Sequence, residues 1–436
     1  MARARVFVGL KETLGRLARS GPIPVFAVTA ADAINAVRDL GLRREVEIVA
    51  TPRHASVLLV AGRFGEGPIA GLSQIHDQLP LPRLTVRWNG EVLAEIPQAR
   101  LVAGDVVELV DRLLALDAEI LAGALASESP LLPDVDAVEW RGVGPYGHGG
   151  SGMTGGTPFG RPLADRAPDR DGLELDQLPV SVGPWVGALP AGLELHVKLQ
   201  GDLIQGVEVG PKVAVMAPVD AFVRALDVPT PVKLLEVERA RHHLRWLADV
   251  LVVHGLSALG LWALRLAHDL SPSDRSEVER LLSAVRKSGV IKLVVGRIRG
   301  GVVSPGVVGT GPIGRAAGSG DDARLDDQSY QELQFQPVIG ETGDTAARWN
   351  QRMAEVVQSL DLAARAEERT AFGSGCVEGP RGLIVSKQPP ASASLLEVLP
   401  TLLTGLEWGD AVSVVWSLDL DAFATSVVLL PSGTET

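Results

Sequence analysis

The residues whose types and spacing could do chemistry fall into four groups. Gly309–Gly314 reads GTGPIG, the G-x-G-x-x-G form that cradles a dinucleotide pyrophosphate when it follows a strand and opens a hydrophobic helix. VVSPGVV before it could be that strand. The residues after it, RAAGSGDDARLDD, are polar and add two glycines, which favours an ordinary glycine-rich turn over nicotinamide (NAD) binding. The second group is VEGPRG (Val377–Gly382), which sets Glu378 and Arg381 three apart around Gly-Pro in a tight turn. Its spacing leaves two readings open: a surface salt bridge, or an arginine clamp whose planar fork holds a carboxylate or lines a cofactor cavity. The third is the histidines. His242 and His243 adjoin on a helix and point about 100° apart, among Arg239, Arg241 and Arg245, so they do not form a metal site. The plain reading of His243 is a polar residue packed against a neighbouring loop, and that of His254 a hydrogen-bonded core histidine. The fourth is a single residue, Cys376, the only cysteine. It excludes an internal disulfide, a Cys₄ zinc site and a cysteine-only iron–sulfur cluster, which needs about four thiolates.

The elements that must position these residues belong to a chain of 436 residues, 46% hydrophobic, enough for two or three packed domains at roughly 100–200 residues each. A net charge of −12 offers no basic surface for a polyanion, so nucleic acid is not an expected partner. The acidity lies beyond residue 130, since the charge before it is nearly balanced. The basic start is interrupted by Lys11, Glu12 and Arg16, unlike a signal peptide, and Asp249, His254 and Arg265 interrupt the most apolar stretch, Leu247–Ala267. That stretch reads as a helix buried in a large protein, without a direct transmembrane span, and the chain as cytoplasmic.

From Pro22 to Ser127 short apolar runs, Pro24–Val28, Val46–Ala50, Ser56–Gly62 and Leu84–Trp88, alternate with helical patterns at Ile69–Leu79 and Asp105–Ala126. Continuous apolar strands alternating with helices predict a parallel sheet covered on both sides. Residues 128–171 are rich in glycine and proline and read as a flexible linker and loop between a domain at 1–127 and another at 172–436. The second domain is expected to open with a hairpin, Leu193–Leu199 and Leu203–Val209. A long helix over Val232–His268, a shorter one opening at Ser271 and stopping by Gly289, and a third over Thr345–Ala366 should follow. Leu395–Leu403, interrupted by Pro400, and a last strand pair, AVSVVWSLD and ATSVVLL, complete it.

Read together, these segments resemble two neighbouring subunits of respiratory complex I and the related membrane-bound nickel–iron hydrogenases, fused in one chain. TPRHASVLLVAGRF (Thr51–Phe64) and IHDQLPLPRLTVRWNG (Ile75–Gly90) are similar to the small, cluster-carrying 20-kilodalton-type subunit. LQGDLIQ (Leu199–Gln205), ERARHHLRWLADVLVVHG (Glu238–Gly255), GPIGRAAG (Gly311–Gly318), Asp326–Leu360 and VEGPRG are similar, in the family's order, to the 49-kilodalton or hydrogenase large subunit. The resemblance implies a flavodoxin-like α/β N-terminal domain followed by a mainly α, α+β hydrogenase-large-subunit-like domain. It implies partners among other complex-I-like subunits, including antiporter-like membrane subunits, and a place on the inner face of the membrane reached through them.

The departures from the family pattern are equally specific. Where the small subunit's paired cysteines would hold a four-iron cluster, the chain reads TAADAIN, with Ala31 and Asp32 at the thiolate positions, and Glu91 stands near the next. The large-subunit end reads SLDLD (Ser417–Asp421), without the thiols that hold nickel and iron. Cys376, next to VEGPRG, is then expected to be a small buried residue beside the old active-site turn. The chain is therefore expected to bind no cofactor itself and to be redox-inactive alone. A quinone at the interface of the halves stays open. The pocket the resemblance implies has GPYGHGG, with Tyr146 and His148, the helix around His243, and the turn carrying Glu378 and Arg381 as its walls. Two functions follow: a peripheral-arm subunit of an NADH:quinone oxidoreductase or hydrogenase-like assembly, or a non-redox scaffold or coupling subunit of an antiporter-like transport complex.

Overall fold

The computed structural model of the chain describes residues 21–135, 164–168, 172–216, 220–306, 311–371, 375–385 and 392–426. The N-terminal elements are β1 (Ile23–Thr29), α1 (Ile34–Leu40), β2 (Val46–Ile48), β3 (Val57–Ala61), α2 (Leu72–Gln78), β4 (Leu84–Trp88), β5 (Arg100–Val102) and α3 (Val106–Ala122). The strands form one sheet in the order β2-β1-β3-β4-β5, every neighbour parallel, as expected and in the flavodoxin-like order. Only β5 carries no sequence signal, because three residues show no period. On one face Leu84, Val86 and Trp88 pack with Leu109, Leu113 and Leu116 of α3. Asp105 starts α3: its carboxylate accepts the Val107 and Glu108 amides while Glu108 accepts the Asp105 amide.

The other face of the sheet is shared with the C-terminal half. Leu58, Val60, Leu72 and Ile75 lie in one apolar cluster with Trp185, Val215 and Phe423. Phe64 makes a β-bridge to Val215, and Trp185 donates its indole N–H to the Ala70 carbonyl. Charges complete the joint: Asp39 is 3.2 Å from His268 and 3.8 Å from Arg245, and Arg38 pairs with Asp249.

The start of the expected linker is fastened down. Glu128 accepts hydrogen bonds from the Thr85 amide (2.9 Å) and hydroxyl (2.7 Å) and lies 3.1 Å from His76 Nε2. Asp77 accepts the Leu131 and Leu132 amides. Glu128→Ala should leave these partners unsatisfied beneath the sheet, costing about 2–3 kcal/mol. Limited proteolysis should then cut within residues 125–132 faster than in the unaltered chain.

In the C-terminal half β6 (Asp165–Pro168), β7 (Glu174–Val182), β8 (Leu195–Gln200) and β9 (Leu203–Val209) make an antiparallel sheet in that order. Thus the predicted hairpin is present, widened by two strands that precede it. Next come β10 (Ala214–Met216), α4 (Ala221–Arg224), β11 (Thr230–Pro231), α5 (Val232–Val253), α6 (Ser257–His268) and α7 (Arg275–Lys287). They are followed by α8 (Gly311–Ala316), α9 (Gln328–Glu332), α10 (Thr345–Arg365), β12 (Thr370–Ala371), β13 (Cys376–Gly379), β14 (Gly382–Val385), α11 (Ser392–Leu403), α12 (Trp408–Leu418) and β15 (Ala424–Ser426).

Four expectations are corrected. The helix predicted over Val232–His268 is two helices. Gly255 takes φ +76°, the Leu256 amide reaches back to the Leu251 carbonyl and the Gly255 amide to Val252, the paired bonds of a Schellman stop. AVSVVWSLD is not a strand but most of α12, because Ala411–Val415, Ser417 and Leu418 are buried around the helix and packing overrides β-branched propensity. Pro400 does not interrupt α11. Cys376, expected to be a small buried residue, is exposed at the start of β13. Among the described residues no helix is long and apolar enough to cross a membrane.

Candidate functional site

α5 and α10 cross at the centre of the C-terminal half. Each presents an apolar stripe, Ala240, Leu244 and Leu247 on one and Trp349, Met353, Val356 and Leu360 on the other. Beside each apolar stripe runs a buried charged one. On α5 it is Glu236, Arg239 and His243; on α10 it is Arg348, Arg352 and Glu355, at i, i+4 and i+7. Helical spacing puts these residues on neighbouring faces that both enter the interior.

α8 and the loop after it supply the groups that join the stripes. Gly311 takes φ +80°, and a Cβ there would meet the Arg381 carbonyl at 2.6 Å, so only glycine lets α8 lie against the turn between β13 and β14. Four residues on, the fully buried Arg315 holds Glu355 through two bonds, Nε to Oε1 at 2.9 Å and Nη2 to Oε2 at 3.1 Å. Its Nη1 reaches Asp322 at 2.7 Å and Glu378 at 2.9 Å. Arg324 grips Asp322 at 2.9 and 2.7 Å and approaches Glu236 at 3.3 Å, and Glu236 accepts the Tyr330 hydroxyl at 2.7 Å. Arg239 is 3.3 Å from Glu236 and donates to the carbonyls of Glu378 and Gly379. His243 Nε2 closes the chain on Glu355 at 3.2 Å. The result is a continuous buried ion-pair network of four carboxylates and three guanidiniums.

The charge states follow from this geometry. Burial pushes the Glu355 carboxyl up, but Arg315 and the His243 hydrogen bond outweigh it and hold the group well below the usual carboxylate range. Burial also pulls His243 down to about 4, against the pull of Glu355, so its imidazole is neutral near pH 7. Glu378 goes the other way: burial, aided by the Asp322 carboxylate, raises it despite Arg315, and its Oε2 has no hydrogen-bond partner among the described residues. Of the four carboxyls, Glu378 is the one its surroundings raise, the other three being held below their ordinary values.

A second cluster sits where the histidine pair meets the hairpin turn. Asp419, in the left-handed region at the end of α12, accepts Arg381 Nη2 at 3.0 Å and Nε at 3.1 Å on one oxygen, and lies 2.7 Å from His242 Nε2 through the other. Arg352 approaches it at 3.7 Å and stacks on the Trp246 ring. Arg348 pairs with no carboxylate among the described residues; it donates to the carbonyls of Gly301 and Gly343 and to Ser417, and burial beside Arg352 lowers it to about 9.

Glu378 and Arg381 therefore do not pair with each other. Glu378 is the buried end of one network and Arg381 the partly exposed end of the other. His243 joins the first, and its neighbour His242 the second, their rings 5.7 Å apart at 79°. Tyr146 and His148 lie outside the described residues. So do Gly309 and Thr310, but the rest of GTGPIG is buried α8, where Arg315 is an ion-pair hub instead of a polar loop residue. The spacing of Arg348, Arg352 and Glu355 beside an apolar stripe is the signal that sequence reasoning could have used and did not. Two cavities, of about 500 Å³ along Leu84, Pro97 and Leu131 and about 330 Å³ along Phe335 and Gln358, touch none of these groups.

The expected cluster-ligand positions lie at the C-terminal edge of the parallel sheet. Ala31 offers no donor. Asp32 is bound to Arg63, accepting its amide at 3.0 Å and its Nε at 2.9 Å. Beside them Arg87 is buried and donates to the carbonyls of Val60 and Glu91, and it fills the space over Gly90 that a Cβ would need. A four-iron cluster needs thiolates; Asp32 is committed to an arginine and Glu91 is an exposed carboxylate, so these residues do not fit that group. Among the described residues no three His, Cys, Asp or Glu side chains converge to hold a metal ion.

No curated protein matches the chain. Residues 302–419 match the family model of the respiratory-chain NADH dehydrogenase 49 Kd subunit. That segment supplies Arg315, Asp322, Arg324, Glu355, Glu378, Arg381 and Asp419, so the matched segment also builds most of both buried networks.

Proposed function

We propose that the chain is a peripheral-arm subunit of a membrane-associated, complex-I-like assembly and carries no iron–sulfur or nickel–iron centre of its own. The observation that carries this reading is the coincidence of the 49 Kd subunit match with a buried network built from arginine and carboxylate in a chain with one, exposed, cysteine. Such a network has no nucleophile and no redox group. Burial raises the Glu378 carboxyl beside the Arg381 turn, and a neighbouring subunit or a quinone head group at the domain interface would meet the network there. A second reading, a non-redox scaffold or coupling subunit of an antiporter-like transport complex, draws on the Asp32–Arg63 pair and buried Arg87 at the expected cluster-ligand positions.

Recovery of tagged chain from native membranes, with co-purifying chains identified, iron quantified and electron paramagnetic resonance recorded, tests both. The expected result is membrane subunits in the preparation and no iron–sulfur signal bound by residues 21–115. A soluble monomer would remove both readings, whereas stoichiometric iron in that region would remove the claim of redox inactivity. Intact assembly and activity after His243→Ala and Arg381→Ala would remove the pocket.

A further inference from the structure

The chain is acidic overall, yet between Glu279 and Asp321 it contains no Asp or Glu. Within that stretch Arg286, Lys287, Lys292, Arg297 and Arg299 are all exposed, and none has an ion-pair partner among the described residues. The exposed apolar side chains of Leu293 (54%), Val294 (48%) and Val302 (53%) lie between and beside them.

The backbone produces this surface. α7 ends at Lys287, Gly289 takes φ +82°, and Val290–Val294 form a π-turn that ends with the Val295 amide bonded to the Val290 carbonyl. Val290 and Val295 are buried on either side of it. Three successive residues of an α-helix sweep about 200°, which would turn part of Lys292–Val294 inward. The wider turn leaves all three outside, and π-turns of this kind recur at functional sites.

We propose that residues 286–302 are a direct contact with an anionic membrane surface, the cations facing lipid phosphates and Leu293, Val294 and Val302 entering the headgroup layer. Unpaired basic residues alternating with exposed apolar ones are the composition of an interfacial anchor. An acidic protein partner would use the same cations, but three half-exposed apolar side chains at a turn are far short of the roughly 800 Å² per partner that a stable protein interface buries. The inference is independent of the subunit role proposed above.

Sedimentation of the purified full chain with vesicles of phosphatidylcholine, with and without phosphatidylglycerol, tests it. Binding is expected only to the anionic vesicles, weakening as salt is raised, since each cation near such a surface contributes about fivefold to partitioning. Lys292→Glu with Arg297→Glu should lower binding by at least about 25-fold on the same scale, and Leu293→Ser with Val294→Ser should lower it severalfold. Reversal of the exposed Arg43 and Arg44, Arg43→Glu with Arg44→Glu, should leave it unchanged. Circular-dichroism melts establish that each variant is folded. No binding of the unaltered chain, binding that survives charge reversal at 292 and 297, or equal loss from the Arg43/Arg44 control would overturn the proposal. A loss from charge reversal with no effect of the serine pair would also overturn it, because Leu293 and Val294 would then not enter the headgroup layer.

Discussion

Replacing Arg315 with leucine is expected to lower the unfolding free energy by about 3–5 kcal/mol, the cost of removing one partner from a buried ion pair. The side chain is fully buried and is shared by Asp322, Glu355 and Glu378. Its loss leaves Glu355, among the described residues, with only His243 and Gln351 as side-chain partners, and Glu378 with no cation at its Oε1. Leucine fills part of the volume but solvates none of these carboxylates. Lysine should recover only part of the loss, because one ammonium cannot reproduce two bonds to Glu355 and reach Asp322 and Glu378 as well. Urea denaturation at pH 7 measures the effect. The deficit of the leucine variant relative to the unaltered chain should shrink as pH falls and the stranded carboxylates become protonated. A change under 1 kcal/mol would mean that the network does not hold the α5–α10 crossing together.

The second large effect is an early loss of stability in acid. His243 is held down to about 4 by burial, whereas in the unfolded chain it titrates near 6.5. Between those values the unfolded state binds a proton that the folded state refuses. Stability is therefore full above pH 6.5 and falls by about 1.4 kcal/mol per pH unit down to pH 4, about 3 kcal/mol in all. His242, lowered by burial against the pull of Asp419, adds to the loss in the same direction. Glu236, Glu355, Asp322 and Asp419 are each held below their ordinary values by arginine neighbours despite burial, so their contribution is present above pH 4 to 5 and is lost below it. The two windows adjoin, and the urea midpoint should fall continuously from pH 6.5. His243→Gln keeps a donor toward Glu355 and removes the titration. The variant should flatten the upper window and leave the lower one. An unchanged slope between pH 6.5 and 4 in that variant would show that His243 is not the group responsible.

Much of the fold was legible because its signals are local. β4 at Leu84–Trp88 is bounded by prolines before and Asn-Gly after, and all five of its residues are buried, as a strand inside a sheet covered on both sides requires. α10 could be read from Trp349, Met353, Val356, Leu360 and Ala363, and the start of α3 from Asp105 and Glu108. Where the reading failed, tertiary packing outweighed local preference. AVSVVWSLD has the residues of a strand, but burial on all sides makes a helix of it. The stop at Gly255 is a backbone conformation that an apolar run conceals. Cys376 looked like a core residue only while its hairpin had no known edge.

The candidate site was legible in pieces. His243, Glu378 and Arg381 could be selected one by one, yet the spacing of the last two left a salt bridge between them open, and in the fold they belong to different networks. The partners that decide this, Arg315 for Glu378 and Asp419 for Arg381, lie 63 and 38 residues away in the chain. Arg315 in particular sits in a polar, glycine-rich stretch that reads as solvent-exposed loop, and only the approach of Gly311 to the hairpin turn carries it into the interior.

The sequence by itself determined what this protein is made of: one cysteine, a parallel α/β region, long amphipathic helices, and a segment resembling the complex I large subunit. These are properties of composition and short-range period, and they survive without knowing which faces meet. Tertiary structure alone decided which charges are buried and with whom. The free energy of a charge depends on its solvation and on partners within a few ångströms, and neither quantity is a function of neighbours along the chain.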